Sequence, residues 1–346
     1  MLSVSLDFMP AFYTKHLGLT WGERYYFDPD YRSQVEMARD RFLYDVLGEH
    51  GVGSPQPTPS PCLTIQPVDL FMRTQGAEWR FPTDGTVESW GQPWKGMTVS
   101  EILALDARAA AAHPVIDAIL HQYGELRTLY GARADVLGLR SGAMLIHGPY
   151  TTAHQLLGED LFILMYDDPS GAQRVFAKVW EIYQAVLGRI SRALEAPPAR
   201  RIHIGDCAAS LISADLYRAC VLPTNHAIAR EFEACGYHSC GPSTHLLDEF
   251  AKIPEMDAIQ LGPGTDLRAA HQSLPDFTQF QPLIDPMLMR DGTGDDVRRR
   301  ITEATALLLE RGGGTLCAWS FDTDTPLTNV TTMYETVAEA QFAREP

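Results

Sequence analysis

His238 and Cys240 stand two residues apart in the run Cys235-Gly-Tyr-His-Ser-Cys-Gly-Pro-Ser-Thr-His245, and imidazole and thiolate are both good zinc ligands. Side chains at i and i+2 of a strand point to the same face. A strand over 237–240 therefore aims both groups into one space, and Gly241-Pro242 ends it. Downstream, Gly312-Gly-Gly-Thr-Leu-Cys-Ala-Trp-Ser320 reads as a second short apolar strand with Cys317 near its end. One imidazole and two thiolates make three zinc ligands and leave the fourth position open, as catalytic zinc sites do. The spacing alone leaves a second reading open: His-x-Cys is a short pattern, and a free buried cysteine is commonly a small core residue.

The elements that would position these residues alternate along the chain. Strand-like segments fall at 2–8, 62–66, 144–147, 201–206, 237–240, 257–262, 279–284 and 315–320, each followed by helical sequence. Strands alternating with helices imply parallel pairing, and eight of them predict a single (β/α)8 TIM barrel, an α/β fold spanning residues 1–346. No strand is followed by a glycine-rich phosphate loop, which argues against a dinucleotide fold. Barrel chemistry sits at the C-terminal ends of strands, where Asp206, His238, Cys240, Asp285 and Cys317 all fall and where His147 closes the third strand. Two long segments read as loops over that face, 10–30 with Phe12, Tyr13, Trp21, Tyr25, Tyr26 and Phe27, and 67–97 with Phe71, Trp79, Trp90 and Trp94. Their aromatic residues are expected to line an apolar substrate pocket, because long loops in compact domains are often functional.

Composition narrows the partners. The formal charge of −16 argues against nucleic acid and against an anionic membrane surface. The N-terminus lacks the basic region of a signal peptide, and no apolar run reaches the length of a membrane span. Cysteines at 62, 207, 220, 235, 240 and 317 are scattered rather than framed as a disulfide scaffold, so a reduced, cytoplasmic protein is expected. Cys207 and Cys235 read as small core residues and His245 as structural.

The second half resembles the uroporphyrinogen decarboxylase superfamily. The resemblance rests on His147-Gly-Pro-Tyr-Thr-Thr-Ala-His-Gln-Leu-Leu-Gly158, Asp167-Asp-Pro169, Gly205-Asp206, His238-Ser-Cys-Gly241, Ile284-Asp-Pro286 and Thr325-Pro-Leu-Thr-Asn329, in that order. It covers roughly residues 140–340 well and the first 100 loosely. The superfamily is a (β/α)8 barrel with two chemistries: metal-free porphyrinogen decarboxylation, and zinc-dependent methyl transfer to or from the cobalt of a corrinoid. His-x-Cys with a late Cys belongs to the methyltransferase branch, which includes the methylcobalamin:coenzyme M methyltransferases, and implies His238, Cys240 and Cys317 as zinc ligands.

The decarboxylase branch carries a Phe-Met-Arg-Gln-Ala-Gly-Arg stretch after its first strand. Here Phe71-Met-Arg-Thr-Gln-Gly76 follows the second strand and lacks the second arginine. The resemblance therefore implies a zinc-dependent methyltransferase acting on a small methylated compound or thiol. No Asp-x-His-x-x-Gly corrinoid signature occurs, so the corrinoid would arrive on a separate protein. Asp206, Asp285 and His147 are the catalytic candidates: the two carboxylates as a resting fourth ligand, an orienting group for His238 or a proton acceptor, or else as helix caps. The alternatives are a metal-free decarboxylase and a non-catalytic barrel stabilised by zinc. An apolar or aromatic methylated substrate is expected over coenzyme M, because Phe12, Tyr13, Trp21, Tyr26, Trp79 and Trp94 outnumber nearby basic residues.

Overall fold

The structure is a computed structural model that describes residues 1–342. Its strands are β1 (Leu2–Phe8), β2 (Cys62–Leu63), β3 (Glu78–Arg80), β4 (Glu88–Trp90), β5 (Asp135–Val136), β6 (Ala143–His147), β7 (Arg201–Gly205), β8 (Ala234–Ser239), β9 (Met256–Leu261), β10 (Gln279–Pro282) and β11 (Gly314–Phe321). Each of the eight segments expected to be a strand overlaps one, although the second is cut to two residues and the fifth ends at Ser239, one short of Cys240. The chain forms two compact units, one from 1–60, 81–86 and 259 onward, the other from 61–80 and 87–258. Among the described residues, no helix is long and apolar enough to cross a membrane.

In the second unit β6, β7 and β8 run parallel, with His147 opposite Gly205 and Gly205 opposite His238. One face of this sheet is apolar and buried, through Ile146, Ile202, Ile204 and Tyr237. Between β6 and β7 lies the long helix Pro169–Ala193. Asp168 starts it by accepting from the Gly171 amide at 2.8 Å, and Pro169 occupies a position whose missing N–H costs nothing. Its buried residues, including Val175, Val179, Ile182, Val186 and Ile190, recur at helical spacing. Segment 67–97, expected to be loop, contains the helix Pro67–Thr74 and the antiparallel β3–β4 hairpin.

In the first unit β1 and β11 are parallel, with Ser5 opposite Cys317. Leu283 bridges to Cys317 and donates its amide to Leu261 at 2.8 Å, linking β11 through β10 to the end of β9. Here the expectation of a loop over 10–30 fails. The segment forms two helices, Pro10–Leu17 and Gly22–Phe27. Proline at the first turn favours the start of one, and Gly18, at a φ of 66°, ends it in a conformation glycine adopts without strain. The aromatic residues pack on one another: Phe8 stacks on Phe12 at 4.1 Å, and Trp21 lies 5.5 Å from Tyr25 and 6.0 Å from Tyr13. Phe12, Tyr13, Trp21, Tyr25 and Tyr26 are buried, so they form core rather than the pocket lining expected of them. Trp94 is likewise buried, and Trp79 donates its indole N–H to the Asp69 carbonyl.

Candidate metal centre

The ladder register builds the centre. His147, Gly205 and His238 form one row across the C-terminal ends of β6, β7 and β8, and residues in register on parallel strands face the same way. Glycine in the middle of the row puts no side chain between the two imidazoles. His203 lies two residues back on the same face, opposite Gly236, where an added Cβ would come within 2.5 Å of the His203 Nδ1. The His203 and His238 rings are 6.4 Å apart.

Two residues beyond the paired Gly205 and His238 come Cys207 and Cys240. One donor atom from each of Cys207, His238 and Cys240 lies within 4.8 Å of the others. Cys240 is exposed while Cys207 and His238 are half-buried, so the cluster is reachable from one side. Hydrogen bonds from Cys207 and His238 pull the Cys240 thiol well below its ordinary range. Cys207 moves the opposite way, because it gives its hydrogen to Cys240 and its half-buried place disfavours the thiolate. Burial, reinforced by the charge His238 would carry, lowers His147 to about 4 and leaves its imidazole neutral at pH 7. The His147 Nδ1 is buried without a hydrogen-bond partner. His203 is lowered to about 4 for the same reasons.

The donor chemistry fits zinc, for which cysteine sulfur and imidazole nitrogen are preferred ligands.

Asp206 has another place than the sequence suggested. It is fully buried, and its two oxygens accept hydrogen bonds from Thr151 Oγ1 (3.0 Å), Asn225 Nδ2 (2.7 Å) and Tyr237 OH (3.0 Å). Burial raises its pKa against those three donors. Its amide donates to the His238 carbonyl at 2.7 Å, and Thr151 Oγ1 also accepts from the Ala208 amide at 3.1 Å. Asp206 therefore fixes the short turn Cys207–Leu211 that carries Cys207, instead of reaching into the cluster. Asp285 caps the helix Pro286–Asp291, accepting from the Met287 amide at 2.9 Å. Cys317 lies in β11 of the first unit, fully buried, with its thiol raised to about 12 by burial and the Gln260 amide nitrogen 3.9 Å away. His245 holds the Ile212 carbonyl at 3.0 Å, the structural part expected of it.

Sequence reasoning missed Cys207 and His203. The only available signal was the place of both on the Gly205 side of β7, which becomes informative once the β7–β8 register is known.

A polar cleft of about 670 Å³ opens in the same unit, lined by Asp69, Ser89, Trp90, Gln92, Lys95 and Gln155 among others. Asp69 accepts from Ser89 Oγ at 2.8 Å, and burial raises it to about 6. Arg73, the arginine of the Phe-Met-Arg motif, donates to the Ala77 carbonyl at 2.9 Å.

The model of the family described as Uroporphyrinogen decarboxylase (URO-D) matches residues 136–340. A search of curated proteins finds no match. Among solved structures, a methyltransferase from Methanosarcina mazei is similar at a TM-score of 0.66 and 16% identity, over 98% of this chain and 93% of that one. A B12-independent methionine synthase from Shewanella sp. W3-18-1 is more distant, with a TM-score of 0.47 and 11% identity over 99% of this chain and 98% of that one. With the parallel, helix-alternating strands described above, the first likeness identifies the α/β fold as the (β/α)8 barrel class expected from the sequence.

Proposed function

The chain belongs to the uroporphyrinogen decarboxylase family, and we propose that it is a zinc-dependent methyltransferase within it, moving a methyl group between a small methylated compound or thiol and the cobalt of a corrinoid carried by a separate protein. The observation that carries this reading is the thiol–imidazole–thiol cluster at the ends of β7 and β8. Porphyrinogen decarboxylation needs fixed cations for the substrate carboxylates, whereas this edge presents sulfur and neutral imidazole. Arg73, the one match to the decarboxylase motif, has a backbone carbonyl as its partner.

His238 and Cys240 would hold the metal, with Cys317 as the third ligand that the family resemblance implies. Bound there, zinc would lower the pKa of a coordinated thiol or act as a Lewis acid toward a methylated heteroatom. The protein's own contribution is orientation. His238 stands near the end of β8 and Cys240 just past it, their donor atoms within 4.8 Å, and the Asp206 network holds the neighbouring turn. His147 stands in the same row, its Nδ1 buried without a hydrogen-bond partner.

The test is methyl exchange with free methylcobalamin, comparing aryl methyl ethers, methyl thioethers and coenzyme M, beside an assay for uroporphyrinogen decarboxylation. Methyl transfer to or from one of these compounds, dependent on zinc, is the expected result. Decarboxylation well above background without methyl transfer would replace this reading with the metal-free one. The aromatic residues of 10–30 pack into core and so give no preference for an apolar substrate over coenzyme M.

A further inference from the structure

We infer that Cys207 is a metal-binding thiolate of this site, the ligand that occupies the fourth zinc position until a substrate thiol takes it. The inference rests on the zinc reading above and adds to it a residue that the His-x-Cys motif does not contain.

Three observations place Cys207 there. The first is register. Gly205 pairs with His238, so the residues two positions on, Cys207 and Cys240, emerge side by side from the ends of adjacent strands. The second is distance. The Cys207 sulfur lies within 4.8 Å of a His238 nitrogen and of the Cys240 sulfur, a separation that a shared tetrahedral ion spans with small side-chain adjustment. The third is support. Cys207 begins a turn whose backbone is fixed from three sides, by the Asp206 amide on the His238 carbonyl, the Ala208 amide on Thr151, and the Tyr150 hydroxyl on the Ala208 carbonyl at 3.2 Å. That degree of fixing is what a ligand-bearing turn requires.

The neighbouring carboxylate is the obvious rival for the fourth position. Asp206, however, is directed into the core with both oxygens engaged by Thr151, Asn225 and Tyr237. Cys207 would be the ligand exchanged for a substrate thiol, and would take up the proton that the incoming thiol gave up, so that one thiolate would replace another with no change of charge at the site.

Peptide-resolved alkylation of the full-length protein by iodoacetamide tests this first, comparing chelator-treated with zinc-loaded samples. Cys62 serves as a half-buried control thiol. Zinc should slow labelling of Cys207 and Cys240 together, each by tenfold or more, and leave Cys62 unchanged. Protection of Cys240 with Cys207 still labelled at the metal-free rate would overturn the inference while sparing the zinc reading. Failure of the wild-type protein to bind zinc would overturn both.

Cobalt(II) gives the second readout. Replacing Cys207→Ser in the cobalt-loaded protein should lower the thiolate-to-cobalt charge-transfer band by roughly the share of one ligand. Added 2-mercaptoethanol should then restore the band in the variant and leave the wild type nearly unchanged. A variant band equal to that of the wild type before any thiol is added would reject Cys207 as a ligand.

Discussion

Gly148 lies so close to the carboxylate of Asp206 that a Cβ at position 148 would stand 2.4 Å from Oδ1 and 2.7 Å from Cγ. The first residue past β6 and the first past β7 are thereby locked together, with no room for any side chain on Gly148. The carboxylate cannot swing aside, because three donors hold it. Gly148→Ala should therefore destabilise the protein by about 1–3 kcal/mol, the usual range for overpacking a filled interior. Urea unfolding is the measurement, and a change below about 0.5 kcal/mol, the scale of an ordinary surface substitution, would show that the contact yields easily.

Asp206→Asn keeps the shape but replaces one acceptor oxygen by a donor, in a pocket where Thr151, Asn225 and Tyr237 all donate. At least one donor must then lose its partner in a buried setting, at about 1–3 kcal/mol. Because the same carboxylate fixes the Cys207 turn, the variant should also bind zinc more weakly, while Asp285→Asn, at a helix cap, should leave zinc affinity unchanged. Equal zinc affinity in Asp206→Asn and wild type would separate the network from the metal centre.

His238 at the end of β8 and Cys240 just past it carry the strongest metal prediction. His238→Ala and Cys240→Ala should each reduce zinc content of the purified protein to a small fraction of one ion per chain. Cys317→Ala measures the ligand that the family resemblance implies, and the expected result is zinc affinity weakened by tenfold or more. Full zinc occupancy in a Cys240→Ala/Cys317→Ala double variant would remove both from the ligand set.

Asp69 supplies a pH signature away from the cluster. Its folded pKa is raised to about 6 by burial, above the ordinary carboxylate range, so between pH 4 and 6 the native state holds a proton that the unfolded chain releases. Stability contributed this way is present below the unfolded pKa and is lost as pH rises through about 6. Asp69→Asn, which stays neutral, should thus be more stable than wild type by about 1–3 kcal/mol at pH 8, with the gap closing toward pH 4.5. Urea titrations of both proteins across that range check it, and a gap independent of pH would mean that the carboxylate is not held in a desolvated setting.

Much of this molecule follows from local chemistry, and so was legible in the sequence. The eight barrel segments declare themselves as short apolar runs between helices. The two-residue period of a strand places His238 and Cys240 on one face without knowledge of any neighbour, and the Asp-Pro pairs at 168–169 and 285–286 mark helix starts because each capping carboxylate meets an amide only two or three residues on. The helices at 10–30 were open to the same reasoning through Pro10 and Gly18, but the density of aromatic residues there does not distinguish a pocket wall from a core. Packing decides that, and here the rings close on one another.

What only the tertiary structure decided is which residues of different strands share a level. Asp206 and Cys207 are adjacent in sequence, and both stand at a strand end. The pairing of Gly205 with His238 sends Cys207 toward Cys240, while Gly148, Thr151, Asn225 and Tyr237 close around Asp206. Ladder register is set by hydrogen bonds and side-chain burial between segments far apart in the chain, so no local pattern around Asp206 and Cys207 reveals which of the two faces the metal centre.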